Sequence, residues 1–343
     1  MRNLTLIFLL AFSCSTFAQT IRRVTDNPNV TGVNIYTTIQ AAHDAAVAGD
    51  IIYLEPNTSG SYGGLISTKR LTIIGNGFAQ FNDNYLTTPN PPLDGRMSTI
   101  NNFSMRNGSQ NSVIIGVNVA GNGNTIRVPN ITIDRCMTGG IDFEATDISI
   151  GLVGRNATIT RCRISNQIST VTAGLIIGSN CLITNNIGGG LANLNNSIIK
   201  NNIFPNSITL ASSVVTDNIF SLPANVISVN DYNIPNTNSI SNNMAVATNG
   251  LPTGNGNING VTSSSIFTYI SSSNIPDSGY QLAVGSPAIG TGTSGANMGI
   301  FAGASPFVLS GLPPRPIITN FISSGVGNTT TPLQVSVTVR GNN

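Results

Sequence analysis

The residues with the most chemistry to offer lie close together near the middle of the chain. In Gly140-Ile141-Asp142-Phe143-Glu144, apolar and acidic residues alternate. A strand that turns Ile141 and Phe143 inward therefore carries Asp142 and Glu144 together on its outer face. One repeat earlier, Thr125-Ile126-Arg127-Val128 places Arg127 outward, near Asp142. Arginine and two carboxylates on one face can hold a cation through Asp142 and Glu144, or can position an acidic sugar and abstract its proton. The plainer reading is an ion pair between Arg127 and Asp142 that keeps an exposed strand soluble, worth about 0–1 kcal/mol. Gly174-Leu175-Ile176-Ile177-Gly178, read as the matching segment of the next repeat, adds no oxygen ligand, so calcium would rest on two carboxylates alone.

Other catalytic constellations lack parts. A single histidine, His43, would have to serve any Ser-His-Asp triad, and it excludes zinc sites built from several histidines. With no tryptophan, a sugar-stacking platform must use Tyr or Phe. Gly121-Asn122-Gly123 has no third glycine at dinucleotide spacing and opens no helix, so it reads as a turn. Cys136, Cys162 and Cys181 have no Cys-x-x-Cys spacing and read as small buried hydrophobes. Asp134, Asp147, Arg161 and Arg163 read as solvated turn residues.

The elements that must position these groups repeat. Seven segments run from a short apolar strand to an Asn or Cys: they end at Asn118, Cys136, Cys162, Asn186, Asn202, Asn218 and Asn243, at intervals of 16 to 26 residues. That spacing fits one coil of a β-solenoid with loops of variable length, and the β-branched, Asn- and Gly-rich composition excludes helical repeats. The repeated Asn tolerates a left-handed bend, and its amide can bond the equivalent amide one coil away, forming a ladder. Cys136 and Cys162 hold successive ladder positions, close enough for a disulfide or for stacked thiols. Thr37 as N-cap with Gln40 three residues on, then Ala41 to Ala48 and Gly49, predicts one helix whose Ile39, Ala42 and Ala46 cover the first coil, with His43 on that cap and away from any groove. The Gly- and Asn-rich run Asn249 to Gly260 reads as a surface loop or irregular coil.

Composition narrows the partners. Of 343 residues only 8% are charged, 40% are hydrophobic, and the formal net charge is +2, which gives no basic footprint for nucleic acid and no polybasic membrane patch. Residues 1–18 read as a cleaved signal peptide: Arg2, the apolar run Leu4 to Phe12, and Thr16-Phe17-Ala18 as the cleavage site. No later stretch is apolar for long enough to predict a membrane span.

Thr38-Ile39-Gln40-Ala41-Ala42, Gly49-Asp50-Ile51-Ile52-Tyr53-Leu54, Tyr62 and Leu71-Thr72-Ile73-Ile74-Gly75 resemble the opening of secreted β-helix proteins of the pectate-lyase-like superfamily. Tyr280-Gln281-Leu282, Gly285 to Gly290 and Met298-Gly299-Ile300-Phe301 are similar to the closing coil of many uncharacterised members. The resemblance covers roughly residues 35 to 310. It implies an all-β, right-handed parallel β-helix with an N-terminal capping helix, which we place over 19–304; beyond it Pro306, Pro313, Pro314 and Pro316 mark the exit, and Leu333 to Val339, alternating like a half-exposed strand, makes 305–343 read as a β cap over the last coil. It also implies activity on the outer face of one sheet, where members that cleave acidic polysaccharide use calcium held by carboxylates and an Arg or Lys base. The polygalacturonase signatures, Asp-Asp, Gly-His-Gly and Arg-x-Lys, do not occur.

These readings predict a secreted or cell-surface monomer with no cofactor, non-catalytic, presenting an Asn/Ser/Thr-lined side to a glycan or acting as a structural, adhesin-like scaffold. The alternative is a polysaccharide lyase using Arg127, Asp142 and Glu144, and calcium belongs to that alternative alone.

Overall fold

A computed structural model describes residues 19–58, 60–78, 96–147, 149, 151–170, 177–221, 227–229, 237–268, 277–314, 316–328 and 330–340. The leader with Cys14, and residues 174–176, lie outside them. Short strands of two to five residues recur in a fixed cycle and stack into three long parallel sheets. The first sheet has eleven strands, from Ile35–Tyr36 and Ile21–Val24 through Thr132–Asp134 to Ser239–Ser241. The second has eight, from Thr99–Ile100 to Met244–Ala245, and the third has eight, from Leu65–Ser67 to Ile227–Val229. Each coil visits the first, second and third sheets in turn, and every pairing between coils is parallel. The molecule is a right-handed parallel β-helix.

One side of every strand faces a shared interior. Ile133, Ile159, Ile183, Ile199 and Val215 of the first sheet, Phe204 and Phe220 of the second, and Ile141, Phe143, Ile168 and Leu210 of the third are at most 2% exposed. The rings of Phe204 and Phe220 stack with centroids 5.6 Å apart, as in-register identical residues on successive coils must.

The corner from the first to the second sheet uses two residues with separate duties. The one entering the corner is left-handed: Gly116, Arg135, Arg161, Asn185, Asn201, Asp217 and Asn242 all have φ between 52° and 64°. The next points inward and forms the ladder, so the two duties expected of a single Asn are divided between neighbours. Asn202 shows the pattern: its amide nitrogen and Nδ2 donate to Asn218 Oδ1, both at 2.9 Å, and Nδ2 also reaches the Ile183 carbonyl at 2.9 Å. Asn186, Asn218 and Asn243 repeat it, and Asn243 hands on to Asn257 at 3.0 Å, so the expected loop supplies a further rung. Cys136 and Cys162 are buried free thiols on the same line, with the Cys136 amide 3.4 Å from Cys162 Sγ.

Asn118 is not on the ladder. Val113 pairs with Thr132, which puts Val117 beside Cys136, and Asn118 instead pairs with Met137 in the second sheet and donates to Thr99 Oγ1 at 3.1 Å. The run Val113-Ile114-Ile115 is apolar throughout, so its sequence alone permits a one-residue slip. A second ladder occupies the corner from the third sheet to the first. Left-handed Asn130, Asn156, Asn180, Asn196 and Ser212 precede inward Ile131, Ala157, Cys181, Ser197 and Ser213, and the Cys181 amide donates to Ser197 Oγ and the Ser197 amide to Ser213 Oγ, each at 3.0 Å.

Helix α1, Ile39–Ala45, closes the first coil with Ile39 and Ala42 fully buried and Ala46 nearly so. Its N-cap is Thr38, one residue later than Thr37, and accepts the Ala41 amide at 3.2 Å. Gln40 does not turn back to the cap. It accepts the Ile66 amide at 2.8 Å and so fastens the helix to the third sheet. His43 is 3% exposed and its Nε2 accepts the Thr68 amide at 3.0 Å, a packing role on the cap.

The C-terminal part departs from the expected closing coil and end cap. Residues 288–313 run back along the outside of the second sheet toward the first coils. Outward Ile187, Ile203, Ile219 and Met244 form an apolar row, and Ala288, Met298, Ile300 and Phe307 bury it. Beyond this strap, Ile317–Ser323 and Val335–Arg340 form an antiparallel hairpin in which Val335, Val337 and Val339 are about half exposed and the intervening residues are exposed too. That alternating strand thus covers no coil.

Candidate functional site

The outward row of the third sheet is partly exposed, with Thr125 buried within it. From coil to coil the in-register residues are Ile66, Ser104, Thr125, Asp142 and Ser169. The matching segment beside Asp142 is therefore Ile168–Thr170, not Gly174–Gly178. From Asp142 onward, four coils begin the strand with a small or polar residue followed by a buried aliphatic: Gly140-Ile141, Gln167-Ile168, Gly190-Leu191 and Ser207-Ile208. That signal was readable in the sequence and would have found Ser169.

Asp142 and Glu144 do lie on one face, but Arg127 is bound to Glu144, with Nη2 to Oε2 at 2.5 Å, and not to Asp142. The register explains this: Thr125 lies opposite Asp142, so Arg127 falls two residues farther along, opposite Glu144, whose amide donates to the Ile126 carbonyl at 3.0 Å. The pair is about a third and a quarter exposed, and Arg127 Nε is buried without a partner. A short antiparallel pair, Ala145–Asp147 with Leu152–Val153, follows Glu144 and accounts for the long coil. Arg127 and Asp142 are thus separated, and each carboxylate has its own partner.

Asp142 Oδ1 accepts the Ser169 hydroxyl. Among the described residues no bond within the protein reaches its Oδ2. It stands in an open groove of about 470 Å³ that follows the corner between the second and third sheets. Side-chain amides from the turns before the third sheet line the groove, Asn122, Asn166, Gln167 and Asn206, with serines and glycines between them. Asn166 Nδ2 donates to Asn122 Oδ1 at 3.0 Å across two coils, which fixes one wall. The lining contains no aromatic ring and no cation. Among the described residues no three His, Cys, Asp or Glu side chains gather to hold a metal ion, so Asp142 and Glu144 have no third such ligand.

Three of the charges expected at solvated turns, Asp134, Arg161 and Arg163, are structural, and the side chain of Asp147 lies outside the described residues. Asp134 is 6% exposed and bound by Arg161 through two bonds of 2.8 Å; burial pushes its carboxyl up, against the pull of Arg161. Arg135 Nη1 donates to the Leu312 carbonyl at 2.7 Å. Arg163 pairs with Asp277 at 3.1 Å, and Asp277 accepts the Ser310 amide at 3.0 Å. Asn185 Nδ2 donates to the Ile300 and Ala302 carbonyls at 2.7 and 2.8 Å. The left-handed corner residues, their side chains turned outward, thus hold the strap. The strap and the second sheet also form a half-open pocket of about 350 Å³ beside Tyr280 and Phe301, lined mainly by apolar residues.

No family model and no curated protein matches the chain. A solved structure described as that of the Streptococcus pneumoniae surface protein and adhesin PfbA is 15% identical, over 65% of this chain and 84% of that one, with a TM-score of 0.37. A likeness of that size carries no argument about function. Among the described residues no helix is long and apolar enough to cross a membrane.

Proposed function

We propose that this is an extracellular or surface-exposed, non-catalytic β-helix protein that binds a glycan along the groove at Asp142. The observation that carries the reading is the lining of that groove: side-chain amides, hydroxyls and one carboxylate with an oxygen left over, repeated on successive coils. Sugars are recognised by such fixed donors and acceptors, and a rigid solenoid holds them without an ordering cost on binding. The separation of Arg127 from Asp142 supports a binding role over proton abstraction, since base and carboxylate do not face one point. Membership of the pectate-lyase-like superfamily, export through residues 1–18 and a monomeric state belong to this proposal.

The test is calorimetric titration of residues 19–343 with a panel of neutral, amino and acidic polysaccharides, with calcium and with chelator, while newly formed reducing and unsaturated ends are recorded. We expect binding without new ends, weakened by Asn166→Ala and Asn206→Ala. New chain ends that vanish in Asp142→Asn or Arg127→Ala would replace this reading with a lyase. No binding to any polymer would leave a structural scaffold.

A further inference from the structure

The charge in the groove says which glycan fits. Asp142 is the one charged residue among those lining it, and the nearby cation, Arg127, is outside the lining and already bound to Glu144. A uronic acid polymer laid in this groove would bring carboxylates against Asp142 with no arginine or lysine to receive them. No described residue donates to Asp142 Oδ2, and the Ser169 hydroxyl on Oδ1 holds the carboxylate in place. The donor that best complements a half-buried carboxylate carries positive charge.

We propose, resting on the glycan-binding reading above, that the groove selects a polymer of amino sugars bearing free, protonated amines, with Asp142 as the residue that receives an amine. The flanking amides of Asn122, Gln167 and Asn206 serve the hydroxyl and N-acetyl groups of neighbouring rings. Five successive coils line the groove, which at about 4.8 Å per coil gives a length of roughly 19 Å, enough for several rings of one chain. Without an aromatic in the lining, recognition depends on hydrogen bonds and this one charge. The protein as a whole is weakly cationic, with a formal net charge of +2, so a cationic polymer gains nothing from its overall field and must find a local anion.

The experiment compares three soluble polymers by titration at mildly acidic pH and low salt: partly N-deacetylated poly-N-acetylglucosamine, its fully N-acetylated oligomers, and polygalacturonate. Wild type is expected to bind the deacetylated polymer roughly fivefold or more tightly than the acetylated oligomers, and not to bind polygalacturonate. Asp142→Asn, which keeps the shape and the Ser169 contact, should remove that preference, so that the deacetylated polymer and the acetylated oligomers bind with equal affinity; an unaltered thermal midpoint verifies its fold. Equal binding of acetylated and deacetylated forms, or a preference that survives Asp142→Asn, overturns the charge assignment while leaving glycan binding intact. Tighter binding of polygalacturonate overturns it as well. Binding of none of the three and of no polymer in the wider panel overturns both readings together.

Discussion

Asp217 Oδ1 accepts the backbone amide of Thr293 at 2.7 Å and its hydroxyl at 2.9 Å, although 75 residues of chain lie between the two. Asp217 is 2% exposed and sits at a left-handed corner, φ 59°. One side chain thus turns the chain from the first sheet to the second and anchors the strap that returns past it. Replacing Asp217 with Ala strands the Thr293 amide and should cost about 1–3 kcal/mol in chemical unfolding, with early proteolysis between residues 285 and 305. A cost within error and unchanged cleavage would mean that the strap is held by its apolar face alone.

The strap makes a second demand at Gly311, where φ is 58° and an added Cβ would fall 2.2 Å from the Phe78 ring and 2.5 Å from the Arg135 carbonyl. Gly311→Ala should therefore lower the thermal midpoint by several degrees, whereas Gly325→Ala, also at positive φ but with open space around it, should lower it less. Equal shifts would indicate that strain alone, not the close approach, sets the cost.

The two Asn positions that look alike in sequence should separate by mutation. Asn202→Leu removes the acceptor for the Asn186 amide and Nδ2 inside a closed row and should cost about 3 kcal/mol or more. Asn118→Val removes one bond to Thr99 and should cost about 1 kcal/mol. Denaturant titration of both variants checks the register, and equal costs would contradict it.

Asp50 makes stability depend on acid. Burial alone would raise its pKa, but the Val47 and Thr20 amides and the Arg22 guanidinium outweigh burial and hold the carboxyl below its ordinary range. Because the folded value lies below the unfolded one, this contribution is present above the ordinary carboxylate range and lost as pH falls through the folded value. Unfolding free energy followed from neutral pH downward should decline more steeply in wild type than in Asp50→Asn. Parallel curves would remove Asp50 from the account.

Thiol chemistry gives a further check. Burial pushes Cys162 well up and Cys181 to about 12, so neither offers a thiolate at neutral pH. A thiol reagent should leave the native protein unlabelled and react with Cys136, Cys162 and Cys181 only on unfolding. Prompt labelling of the native chain would show that the corners open.

The coils were legible because each states itself locally: a β-branched triplet, a residue able to turn left-handed, then an inward Asn, Cys or Ser. Where the triplet lost its polar member, at Val113 to Ile115, the register slipped by one and carried Asn118 with it. The Arg127 pairing failed for a related reason, since it depends on which residues of two strands lie opposite, and an exposed strand gives few clues to that. The strap was illegible because what the corner residues grip is backbone, the carbonyls of Ile300, Ala302 and Leu312, and a carbonyl has no letter in the sequence. The groove was missed because its lining comes from five separate turns, each unremarkable by itself.

In a plain solenoid each coil touches only its neighbours, so under load the coils can peel away one after another. The strap connects Asp217 and Asn242 near one end to Arg135 at mid-length and to Phe78 two coils beyond it. Pulling on the two ends should therefore meet one large rupture, when the strap tears free, before the coils it spans unwind. It also dates the completion of folding: the early coils cannot acquire this brace until the ribosome has delivered residue 313, some two hundred residues after they were made.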